Sequence, residues 1–154
     1  MVEPVETPPI HNRWMQTPRY EDTQELPLTT DENVLERVKL LVRTAMRRQL
    51  WLMFADGDDR QLPLLMPTDV PRNPEDADPA NLARFIREAT DELDVESIIV
   101  TLERRGSDEI SEDDRAWFRL VRDACAMAEL KLRGPLLCHT RGVRWVAPED
   151  YAIE

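Results

Sequence analysis

Glycine is scarce in this chain of 154 residues: only four occur, at 57, 106, 134 and 142, and no two are close together. A Rossmann or P-loop phosphate site needs several glycines in one turn between a strand and a helix, so nucleotide binding by those devices is excluded. Histidine is nearly absent too, with His11 near the amino terminus and His139 beside Cys138. Neighbouring residues on a strand point to opposite faces, so Cys138 and His139 are not expected to act as a dyad, and His139 reads as a histidine held at the sheet by a hydrogen bond. The two cysteines, Cys125 and Cys138, have no partner at zinc-ligand spacing, so no ribbon or finger is present. Both sit in apolar segments and are expected as reduced, buried thiols.

Positive charge is also in deficit. Twenty Lys and Arg face 31 Asp and Glu, for a formal charge of -11. Affinity for nucleic acid without sequence preference comes mostly from cations neutralising phosphates, and that partner class is disfavoured; an anionic membrane surface is disfavoured on the same ground. Long apolar runs are lacking as well, and MVEPVETPPI carries neither the basic nor the apolar region of a secretory leader. The expectation is a cytoplasmic protein with one folded domain.

What is present begins with a tail. Residues 1 to 29 hold five of the 12 prolines and a net charge of -3, with Trp14, Met15 and Tyr20 beside Arg13 and Arg19. The composition predicts a flexible, proline-rich acidic segment, and Trp14 and Tyr20 are the residues through which it would reach a protein partner. Residues 30 to 154 read as a single globular domain.

Within it, Thr29 and Glu32 have capping-box spacing, and Val34, Val38, Leu41, Val42 and Ala45 recur at helical spacing, predicting a helix to about Arg48. Arg43, Arg47 and Arg48 would then complement its carboxyl-terminal dipole; a phosphate site is the other reading. LWLMFA at 50 to 55, Asp56-Gly57 and Gln61 to Met66 make a hairpin, with Pro63 requiring the second strand to lie at an edge or to expose that position. The acids Asp56, Asp58 and Asp59 lack the spacing of a calcium loop and read as a solvated turn. Asp78-Pro79 opens a second helix to about Leu93, SIIVTL at 97 to 102 is a central strand, and Ser111 caps a third helix. Leu132 to Thr140 and Val143 to Ala147 close the chain as two strands. The order α-β-β-α-β-α-β-β predicts an α/β (α+β) domain, a mixed sheet with helices on both faces in three layers.

The stretch V100-T-L-E-R-R-G-S-D-E-I-S-E-D-D114 resembles the RadC-like branch of the JAB/MPN metalloprotease superfamily. That family places H-x-H-P-S-G and P-S-x-x-D after a central strand and at the start of the next helix. Aligned without a gap, Thr101 and Glu103 fall on the histidines, Gly106 on the motif glycine, Ser111 on the serine and Asp114 on the metal-binding aspartate. The resemblance spans residues 30 to 150 in pattern but only Gly106, Ser111 and Asp114 in motif identity. The ligand histidines are missing, and the hairpin strand supplies no glutamate base.

The resemblance therefore implies a pseudoenzyme: a non-catalytic binding or scaffold domain with no catalytic residue, metal or cofactor, whose signature would be an apolar or aromatic surface patch. Trp14, Trp51, Trp117 and Trp145 are the aromatic candidates, each expected more in a core than at an interface. The alternative is a hydrolase with a non-standard site around Glu103 and Asp114, using Arg104, Arg105 and His139; its signature would be a pocket where these converge with perturbed protonation. The bland readings of the same residues are a solvated pair or cap for the carboxylates and a solvated loop for the arginines. These five are the candidate binding residues.

Overall fold

A computed structural model describes residues 27–74 and 77–151. Its elements are α1 (Asp31–Leu41), β1 (Gln49–Ala55), β2 (Gln61–Asp69), α2 (Pro79–Ala89), β3 (Ser97–Glu103), α3 (Glu112–Met127), β4 (Lys131–His139), β5 (Gly142–Trp145) and a 3₁₀ turn at Pro148–Asp150. Five strands form one mixed sheet in the order β2-β1-β3-β4-β5. β1 runs antiparallel to both β2 and β3, and β3 is parallel to β4. It follows that β2, β3 and β4 all point the same way, and their carboxyl ends share one edge of the sheet.

The alternation of strand side chains divides the core in two. Leu50, Leu52, Phe54, Ile98, Val100, Leu102 and Leu137 pack against Ile86 of α2 and Trp117, Phe118 and Val121 of α3. On the opposite face Trp51, Met53, Ile99, Leu136 and Cys138 meet Val34, Val38 and Leu41 of α1. The domain is thus the expected three-layer α+β arrangement. Each fully buried side chain of this size contributes about 1.5–3 kcal/mol through loss of apolar contact with water. SIIVTL forms most of β3, covered on both sides. Pro63 does lie on the edge strand β2, where a missing donor is tolerated.

Several boundaries differ from the sequence reading. The first capping box is Thr30 with Asn33, one residue later than Thr29 with Glu32. α1 ends at Leu41, and Arg43 takes a left-handed φ of 73°. Beyond it Ala45 N–H is drawn to the His139 carbonyl, and Met46 and Arg47 turn toward β3, so the chain leaves the helix well before Arg48. Arg43, Arg47 and Arg48 therefore complement no helix dipole; Lys39 is the base in the last turn. α2 stops at Ala89, where Thr90 turns its hydroxyl back to the Ile86 carbonyl. Asp78 and Ser111 cap α2 and α3 as expected, and both cysteines are buried and in no disulfide among the described residues. The tail residues Trp14 and Tyr20 lie outside the described residues.

Candidate functional site

The register of β1 explains what gathers at the carboxyl edge. Gln49, its first residue, pairs with Asp69 at the end of β2 and with Glu103 at the end of β3. The connections entering β1 and leaving β2 and β3 are therefore neighbours, although they are far apart in sequence. Glu103 also pairs with Cys138, which brings in the end of β4.

Glu103 continues the face of β3 that carries Ile99 and Thr101, under the loop after α1. It is fully buried, at 0 % exposure. Its Oε2 accepts from the backbone N–H of Met46 at 2.5 Å and of Arg47 at 3.0 Å. Its Oε1 accepts from Gln49 Nε2 at 2.8 Å and from the indole Nε1 of Trp51 at 2.7 Å. Four neutral donors thus fill both oxygens. A buried carboxylate is tolerable only when its lone pairs are met in this way, and here they hold the 43–48 loop onto the sheet.

Asp114 is also buried, at 1 % exposure, but has separate partners. The Arg104 guanidinium grips it with Nη2 at 2.7 Å and Nε at 3.2 Å from both oxygens. Arg104 spends its other donors on the carbonyls of Ser107 at 2.6 Å and Glu109 at 2.8 Å. Asp114 completes the α3 capping box, accepting from Ser111 N–H at 3.0 Å while Ser111 Oγ accepts from Asp114 N–H at 3.1 Å. Burial is the largest influence on its carboxyl and pushes the pKa up, yet hydrogen bonds from Arg104 and Ser111, with the Arg104 charge, outweigh it and leave the group below its ordinary value. A carboxylate held this way is a weaker base, the wrong direction for proton abstraction.

Of the five candidates, only Arg104 and Asp114 meet directly. Glu103 faces the α1 layer with its own donors. The solvated readings fail for Glu103, Asp114 and Arg104, all of which are buried, while Arg105 is exposed as a loop residue. The cap reading holds for Asp114. His139 is half-buried, its Nδ1 accepting from Arg141 N–H at 3.2 Å. Burial and the charges of Arg104, Arg144 and Arg141 keep its imidazole below the ordinary value, against the pull of Asp108. Cys138 Sγ donates to the Arg43 carbonyl at 3.6 Å on the α1 side of the sheet. Among the described residues no group of three His, Cys, Asp or Glu is placed to hold a metal.

Trp51 and Trp117 are buried, and Trp145 is half-buried. The exposed large apolar side chains among the described residues are Leu40, Met46, Phe85 and Met127, so none of Trp51, Trp117 and Trp145 forms the expected surface patch, and Trp14 lies outside the described residues. A polar pocket of about 260 Å³ stands at the carboxyl edge instead, lined by Arg48, Arg72, Arg104 and Arg105 with Gly106, Ser107, Glu109, Ile110 and Ser111. Sequence reasoning named Arg48 only with Arg43 and Arg47, as dipole partners or a phosphate site, and Trp51 only as an aromatic candidate; Arg72 and Gln49 it did not name at all. Only the double pairing of Gln49 reveals them as neighbours. No protein-family model matches the chain, and no curated protein matches it.

Proposed function

We propose that residues 30–154 are a non-catalytic binding or scaffold domain of the JAB/MPN-like kind, acting in the cytoplasm and reaching another protein through its amino-terminal segment. The observation that carries this reading is the occupation of both carboxylates that a hydrolase would need. Glu103 holds the 43–48 loop through the Met46 and Arg47 amides and β1 through Gln49 and Trp51, and Asp114 holds the 104–111 loop through Arg104. Residues that catalyse by proton transfer or metal ligation keep lone pairs turned to the reacting atoms; these two turn theirs to the protein. Thr101, at the position of a ligand histidine in the resemblance, is buried on the same face as Glu103 and offers no imidazole.

The test is the metal content of untagged full-length protein, purified without chelator and offered zinc and manganese, measured by elemental mass spectrometry. Less than about a tenth of an equivalent is expected, because too few deprotonated ligands converge. Stoichiometric metal that is lost in Asp114→Asn would overturn the reading in favour of a hydrolase at Glu103 and Asp114.

A further inference from the structure

We infer that the pocket among Arg48, Arg72, Arg104 and Arg105 binds a phosphate-type oxyanion, either free or as a phosphomonoester. This deepens the binding-domain reading and rests on it, naming the chemistry of one ligand.

Four guanidiniums line this pocket in a chain whose formal charge is -11, and one acid, Glu109, lines it with them. Asp114 lies behind and takes up Arg104. The cations come from three separate connections: Arg48 enters β1, Arg72 follows β2, and Arg104 and Arg105 follow β3. Like charges collected from distant parts of a sequence repel, and the cluster must be held by something else in the fold. The double pairing of Gln49 fixes the first two connections beside the third. Trp117 Nε1 donates to the carbonyls of Pro71 and Arg72 at 3.0 and 3.1 Å, holding the Arg72 backbone.

Arg48 supplies the second observation. Its Nη1 is buried and has no hydrogen-bond partner among the described residues. A buried guanidinium donor left unmet is costly and rare in folded proteins. Burial first, and then the charge of Arg72, lower the Arg48 pKa, with Asp113 and Asp114 opposing. An oxyanion in the pocket answers the crowding of positive charge around Arg48, whose side chain is half-buried. It accepts from guanidinium donors whose forked geometry matches phosphate oxygens, and it offsets the mutual repulsion.

The location agrees with a general property of open α/β sheets, whose ligands sit beyond the carboxyl ends of the parallel strands. The pocket volume suits a phosphoryl group and lies below the roughly 300–1,000 Å³ of sites that enclose a whole drug-sized ligand.

The experiment titrates untagged full-length ¹⁵N-labelled protein with inorganic phosphate at constant ionic strength, with chloride as reference, following backbone amides and arginine Nε–H signals. Saturable shifts confined to Arg48, Arg72 and residues 104–111 are expected. Arg48→Gln and Arg72→Gln should each weaken binding about tenfold, as loss of a charged hydrogen bond predicts, while Arg84→Gln on α2 should not. Arg72 is exposed, so its variant tests the site without touching the core. Absence of saturable shifts beyond those of chloride overturns the inference, as does affinity unchanged in the Arg48→Gln/Arg72→Gln double variant. Phosphoserine peptide binding tighter than free phosphate identifies a phosphorylated side chain as the source; equal or weaker binding identifies a small free ligand. Release of phosphate from the peptide by the wild type would overturn the non-catalytic reading while leaving the pocket assignment standing.

Discussion

The indole Nε1 of Trp51 donates to Glu103 Oε1 at 2.7 Å, across the pair of antiparallel strands that carry them. Trp51 and Glu103 lie on the same face of the sheet, and the bond ties the centre of β1 to the last residue of β3. Trp51→Phe keeps most of the ring volume and removes the donor. A loss of about 1.5–3 kcal/mol in stability is expected, the usual worth of a hydrogen bond to a charged group, measured by chemical denaturation.

Arg104 and Asp114 form a second, separate bracket. Arg104→Ala leaves a buried carboxylate without its cation, and a cost of about 3–5 kcal/mol is expected in the same denaturation assay. The pH dependence has a fixed sign. Because folding lowers the Asp114 pKa, its contribution is fully present above the ordinary aspartate value and is lost as pH falls through the folded value. The stability difference between wild type and Asp114→Asn should therefore shrink steadily on acidification below the ordinary aspartate range. A difference that stays constant there would show that the ion pair contributes nothing specific.

The thiols should be silent in the native state. Burial pushes Cys125 up to about 12, which leaves almost no thiolate at neutral pH, and Cys138 is buried beside the Arg43 carbonyl. Neither should react with iodoacetamide over hours in native buffer, and both should react in denaturant, read by intact mass.

Local signals located the elements. The β-branched run at 97 to 102, the Asp78-Pro79 cap and the Ser111 cap each state their own structure, and all are found. Periodicity alone misjudged the end of α1, because Val42 and Ala45 keep the helical spacing while Glu103, more than fifty residues later, draws the Met46 and Arg47 amides away. The candidate site was half legible. Ser111 and Asp114 form a local capping box and could be read in place, whereas the burial of Glu103 and Arg104 depends on partners from other strands and loops. Arg48 and Arg72 become neighbours only through the register at Gln49, which no local pattern encodes.

The central claim, that Glu103 is spent on structure, is tested most directly by Glu103→Gln in the full-length protein, with denaturation and amide hydrogen exchange measured together. The amide nitrogen of glutamine would face one pair of donors without an acceptor. The account predicts a loss of about 1–3 kcal/mol and faster exchange at Met46 and Arg47. Carboxylates kept for chemistry behave in the opposite way, since their neutral isosteres commonly leave stability unchanged or raise it. Unchanged or increased stability with slow exchange at Met46 and Arg47 would contradict the account.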